Sequence, residues 1–194
     1  PDQTTELGIG GNLSANAAIG TVADMSTLTY DEQGRAVSLN LRFEKTALNE
    51  WTVTATADGN PVALTDDVLT FAANGELLTP ADRNVNIAGG VIAGMPLPLS
   101  LQLGVASGPA RLTQFAGDTS AGINQQNGSP AGSLQSFDIA PDGVILGSYS
   151  NGRARAIGQL AMAVFANPGG LERVAGAWRS TPNSGLVQIG TAST

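Results

Sequence analysis

The sequence contains no histidine and no cysteine, and Lys45 is its one lysine. Without histidine, a serine- or cysteine-centred triad lacks its usual base and a metal site its commonest ligand. Without cysteine there are no disulfides and no thiolate metal centres. Charge is sparse as well: Asp+Glu 16 stand against Lys+Arg 9 in 194 residues, a net charge of -7. A phosphate backbone or an anionic membrane finds little to hold on such a chain. No apolar run approaches the roughly 20 residues that cross a bilayer as a helix. Nor is there a basic segment followed by an apolar stretch and a cleavage site, the pattern of an ordinary secretory signal.

What is present is apolar residues and turns. Hydrophobic residues make up 42% of the chain, and Gly 25 with Pro 10 imply frequent changes of direction. The length fits one large all-β domain or two small ones. Charge separates the two ends: up to residue 110 there are 12 acids and 4 bases, and beyond it 4 acids and 5 bases. That asymmetry points to two domains.

Alternation carries most of the structural signal. After an opening that reads as an extended arm, TLTY and the turn DEQG lead into Val37, Leu39, Leu41 and Phe43, each separated by a polar residue. This predicts a hairpin with one buried face. Trp51, Val53, Ala55 and Ala57 repeat the period, and Leu69 and Phe71 begin a further strand. Val85 and Ile87 suit a strand edge. Leu97, Leu99, Leu101 and Leu103 alternate too, but Pro96 and Pro98 argue for an edge position, where a missing N–H does no harm. From Ser107 to Gly132 the periodicity fades into Gly, Ser and Asn, the composition of a crossing between domains.

Strands resume at Leu134, with Phe137 and Ile139, then APDG, VILGSY, and a tight hairpin with positive φ at Asn151-Gly152. Between Arg155 and Phe165 a helical face (Ile157, Leu160, Val164) competes with a strand face (Gly158, Leu160, Met162, Val164), and Gly158 tilts the balance to strand. Asn167-Pro168-Gly169-Gly170 ends that element. No helix of ordinary length is expected, which excludes strand-helix alternation.

Residues able to carry chemistry are few, and each has a local explanation. Lys45, at the end of an alternating strand, reads as a solvated charge. The carboxylate pairs Asp31-Glu32, Asp66-Asp67 and Asp138 with Asp142 lie in or beside turns, where Asp caps its own backbone. APDG and DEQG hold too few acids for a calcium loop. GIGGN lacks the lysine and the strand-to-helix setting of a phosphate cradle. Trp178 is the aromatic most open to exposure, although packing is the favoured reading. No catalytic residue, cofactor or metal is expected, and an enzyme ranks behind a binding module and a structural protein.

One stretch is more specific. Residues 137–174, FDIAPDGVILGSYSNGRARAIGQLAMAVFANPGGLERV, resemble the C-terminal half of bacterial flagellar hook proteins, within the hook, rod and axial protein family. The resemblance rests on Asp142-Gly143, Tyr149-Ser150-Asn151-Gly152, Gly158-Gln159, Phe165, Asn167-Pro168 and Gly170-Leu171, with Trp178 and Gly190 following in the family's order. The segment from Thr27 to Ala55 and LTFAANGEL resemble the outer domain of the same proteins, and the size of that inserted domain favours hook over rod.

The resemblance implies an all-β structural subunit of the hook, the universal joint between motor and filament. It also implies an outer β-barrel or sandwich-like domain over residues 1–130 and the C-terminal part of an inner β-domain over 131–194. The first dozen residues are an alternative strand for that inner domain. Partners would be other copies in a tubular polymer, with rod and hook-filament junction proteins at its ends. The location would be the extracellular hook, reached without a cleaved signal peptide. The family's terminal helical segments are not recognisable here, so this stretch alone is expected to be monomeric. An extracellular adhesin-like module is the second reading.

Overall fold

The computed structural model describes residues 1–87, 99–104 and 111–192, and apart from two 3-10 turns its regular structure there is all strand. The chain divides into two compact units, Pro1–Ala131 and Gly132–Thr194.

The first unit opens with β1 (Glu6–Asn12), β2 (Val22–Tyr30), β3 (Ala36–Ala47), β4 (Glu50–Ala57), β5 (Asn60–Val62) and β6 (Leu64–Thr65). It continues with β7 (Val68–Phe71), β8 (Leu77–Thr79), β9 (Asn84–Ile87), β10 (Ser100–Gln102), β11 (Leu112–Thr113) and β12 (Gly122–Gln126). One sheet runs β2-β3-β4-β7-β8, with β5 beside β4. Here the alternating pattern does what it predicts. Side chains two apart share a face, so Val37 to Phe43 on β3 and Trp51 to Ala57 on β4 turn their apolar members inward, and all are buried. Register places Leu41 opposite Ala55 and Phe43 opposite Val53. The second sheet runs β11-β1-β10-β9-β6, with β12 also on β1. Leu7, Ile9, Val85, Ile87 and Leu101 from this sheet join Phe43 and Trp51 in one buried cluster.

The second sheet corrects several expectations. The opening dozen residues, read as an arm or as a strand for the later domain, instead form β1, parallel to β10 and β11 and antiparallel to β12. The described part of Ser107 to Gly132 is no plain crossing, because it supplies β11 and β12 on either side of β1's course. Leu101 sits on β10, which lies between β1 and β9 rather than at an edge, and β9 in turn lies between β10 and β6. Leu97, Pro96 and Pro98 fall outside the described residues.

The two ends of the first unit lie together. Asp2 and Ser129 form an antiparallel bridge, each backbone N–H donating to the other's carbonyl at 3.1 and 2.8 Å. The hairpin glycine Gly34 packs against both ends, because a Cβ there would stand 2.6 Å from the Ala131 nitrogen and 2.7 Å from the Pro1 Cβ.

The second unit holds β13 (Leu134–Ile139), β14 (Val144–Tyr149), β15 (Ala154–Gln159), β16 (Ala161–Phe165), β17 (Glu172–Val174), β18 (Ala177–Arg179) and β19 (Val187–Thr191). β13-β14-β15 form a meander, β16 pairs with β19, and β17 with β18. The segment with competing helix and strand faces is therefore two strands, β15 and β16. A 3-10 turn, Pro168–Gly170, follows β16 where the Pro-Gly run breaks it.

One turn serves both units. In Asp31–Arg35, Ala72–Glu76, Ala140–Val144 and Tyr149–Arg153 the fourth residue is glycine and donates its N–H to the first carbonyl, while the first N–H donates to the fifth carbonyl. This is a type I turn closed by a glycine bulge. At Tyr149–Arg153 the loop thus has three residues, and only Gly152, with φ 76, takes the left-handed region expected of the Asn151-Gly152 pair.

The units differ sharply in packing. Every hydrophobic residue buried among the described residues belongs to the first. In the second, Gly143, Gly147 and Ser184 are the buried ones among those described.

Candidate functional site

The residues singled out for chemistry are dispersed. Lys45 is not a solvated charge: it is buried, its Nζ donates to the Ala15 carbonyl at 2.6 Å, and it lies 6.0 Å from the centre of the Trp51 ring. It continues the inward series Val37, Leu39, Leu41, Phe43, so its ammonium can leave the apolar face only by finding a carbonyl at the end of its stem. Asp31 is buried in its turn and accepts from the backbone N–H of Gln33 and Arg35 and from the Arg35 guanidinium. Burial works to raise its pKa, but these donors together outweigh burial and hold it below the ordinary carboxylate value. Asp142 accepts from the Val144 N–H and Asp138 from the Ile139 N–H. The Asp67 carbonyl accepts from Val53, and Asp66 takes a positive φ of 55. Among the described residues no group of three acidic side chains is placed to hold a metal ion.

The residues carrying the family resemblance converge more than those do. Gln159 reaches from the end of β15 to the Asp142 carbonyl, and Leu160 N–H donates to the Gly143 carbonyl, which ties β15 to the β13–β14 turn. Ser150 and Asn151 meet the start of the unit: the Ser133 N–H donates to Ser150 Oγ, and a Cβ on Gly132 would collide with Asn151. Asn167 donates from its amide to the Asn183 carbonyl, and Gly170 lies so close to Asn183 that any Cβ would overlap it. Leu171 closes the 3-10 turn by donating to Pro168. Phe165 pairs with Val187 at the end of β16. Gly158 opposes Ile145 at a bulge, and Gly190 opposes Met162 with open space where a side chain would be.

These contacts set turns and crossings; what they hold up is an open apolar surface. On the meander, Leu134 and Ile157 close over Gly147, while Phe137 is 65% exposed. Trp178, for which packing was favoured, is 66% exposed at the side of a groove lined by Val164, Phe165, Pro168 and Leu171. Composition could not signal this exposure, since isolated apolar residues look alike whether a core covers them or not. Such a surface has no acid-base chemistry, and its capacity is to be covered.

Comparison with known proteins gives this arrangement a context. A family model described as the flagellar basal body protein FlaE D2 domain matches residues 14–129. A flagellar hook protein FlgE from Escherichia coli is 36% identical over 172 residues, covering 87% of this chain and 42% of the relative. The one from Borreliella burgdorferi is 33% identical over 177 residues, 83% of this chain and 40% of the relative. That from Rhizobium meliloti is 28% identical over 193 residues, or 97% and 47%. A crystal structure of the Helicobacter pylori flagellar hook protein FlgE2 aligns at a TM-score of 0.49 and 18% identity, over 87% of this chain and 39% of that one. The chain spans less than half the length of these curated relatives.

Proposed function

This chain belongs to the flagellar hook protein family, and from that premise we propose that it is part of a structural subunit of the hook, the curved joint that carries motor torque to the filament. The observation that supports this most directly is continuity: the family model covers most of the first unit, and the relatives' similarity runs on through the second. A subunit of a helical polymer needs repeated surfaces rather than a tuned pKa, and the dispersed ionisable groups suit that role better than catalysis. An adhesin-like module has no support among the relatives.

Within this reading the first unit is the outer domain and the second is the C-terminal part of an inner domain. A set of small sheets with no buried hydrophobic side chain among its described residues does not hold itself together in water. The second unit is therefore completed by segments of the longer protein, which cover Phe137, Val164 and Trp178. Asp142, Gly143, Tyr149, Ser150, Asn151, Gly152, Gly158, Gln159, Phe165, Asn167, Pro168, Gly170, Leu171, Trp178 and Gly190 are structural positions that fix the course of that surface. Partners are further copies of the same protein, with rod and hook-filament junction proteins at the polymer ends.

The test is to produce the full-length protein containing this chain in cells lacking their own hook protein, and to image the hooks. Density for the first unit at the outer radius of a tubular polymer is the expected result. Hooks that form without the protein, or cells with none, would refute the assignment.

A further inference from the structure

Two inward series of the first unit end on a polar residue. On β3, Val37, Leu39, Leu41 and Phe43 lead to Lys45, and on β11 the buried Leu112 is followed two residues on by Gln114. Gln114 is 3% exposed, while its neighbour Phe115 turns to the surface. Neither the oxygen nor the nitrogen of the Gln114 side chain has a hydrogen-bond partner among the described residues. Nor has Nε1 of Trp51, which lies opposite Lys45 in the β3–β4 register and is fully buried. Lys45 engages one of its three N–H groups, on the Ala15 carbonyl.

Two pieces of backbone bring these groups to the same end of the core. Ala15 accepts from Lys45 through its carbonyl and donates its own N–H to the Phe115 carbonyl at 2.8 Å, one residue from Gln114. The β7–β8 hairpin links the others: Leu69 on β7 pairs with Trp51, and the Gly75 carbonyl in the turn accepts from the Gln114 N–H at 2.9 Å.

A buried polar atom without a partner is costly, and native interiors meet that need with a protein group or an ordered water. The atoms themselves select the occupant. The donors are the Trp51 ring N–H, the Gln114 amide and the remaining Lys45 N–H groups, and Gln114 Oε1 is the one acceptor of the set. Water accepts from two of these donors and donates to Oε1, which makes the about three bonds usual for an interior water. A halide ion only accepts and leaves Oε1 unmet. We propose that Lys45, Trp51 and Gln114 form a binding site for a buried water molecule, which ties the inner face of β3 and β4 to the end of β11.

The experiment is a crystal structure of the 194-residue chain, at a resolution that shows ordered water, from crystals grown in bromide. The expected result is a peak within about 3.2 Å of Trp51 Nε1 and of the Gln114 carboxamide, without anomalous scattering from bromine. A bromide peak overturns the proposal, and so does the absence of any peak, whether or not Gln114 then bonds directly to Trp51 or Lys45. In solution, Trp178→Phe leaves Trp51 as the only indole. Its ring N–H is expected to show a nuclear Overhauser cross-peak to water, with the sign of a molecule that tumbles with the protein. Adding Gln114→Leu should abolish the cross-peak while the indole resonance stays in place. A cross-peak missing from the single variant, or surviving in the double one as a signal relayed from the Lys45 ammonium would, counts against the site.

Discussion

The Lys45 ammonium donates to the Ala15 carbonyl while its stem runs beside Trp51, so one charged residue joins the loop after β1 to the core face of β3 and β4. Replacing it by alanine leaves a half-buried carbonyl without its donor and opens space beside the indole. Lys45→Ala is expected to cost about 3 kcal/mol, and Lys45→Met, which refills the space, about half of that. Urea unfolding followed by tryptophan fluorescence measures both, and a cost below about 0.5 kcal/mol for the alanine variant would contradict the role.

Asp31 makes a pH prediction of definite sign. Its folded pKa is depressed, so its contribution is present above the unfolded carboxylate value, near about 3.9, and is lost as pH falls through the lower folded value. The difference in Tm between the parent and Asp31→Asn should be largest at neutral pH and should shrink below about pH 4. A difference that stays constant from pH 7 to pH 2.5, or grows in acid, would mean that the carboxylate is not the group being protonated.

Two glycines of similar backbone conformation should respond differently to alanine. Gly34 has φ 78 and closes on Pro1 and Ala131, whereas Gly20 has φ 87 and nothing within 4 Å of where a Cβ would sit. Gly20→Ala carries only the left-handed penalty of about 1 kcal/mol. Gly34→Ala adds a backbone collision and should cost at least about 2 kcal/mol. Paired denaturation curves decide, and equal costs would remove the packing argument for Gly34.

Separated from each other, the two units should behave unlike. Residues 1–131 retain every buried hydrophobic side chain described, and are expected to unfold in one cooperative calorimetric transition. Residues 132–194 are expected to show no such transition and to bind an apolar dye such as ANS. A sharp transition in the smaller piece would show that its surface needs no cover.

How legible these features are in the sequence follows from which residues carry the period. β3 and β4 are readable because Val37 to Phe43 and Trp51 to Ala57 place an apolar side chain at every second position. β1 and β12 are not, since Gly8, Gly10, Gly11, Gln125 and Gln126 give no contrast between faces. Their strand character comes from neighbours distant in sequence, which a local window does not see. Lys45 is misleading for the opposite reason: its position in the alternation points inward while its charge points outward, and position wins. The open surface of the second unit is readable as apolar residues but not as exposure, because a pattern records which side faces a core and not whether the core is there.

The bridge between Asp2 and Ser129 has a mechanical consequence. Tension applied at residues 1 and 131 pulls two antiparallel segments from the same end, so their hydrogen bonds are loaded one after another instead of together. The stem opens like a zip at low force, and the sheets beyond it are spared shear. A body carried on such a stem can give at its root while it keeps its shape.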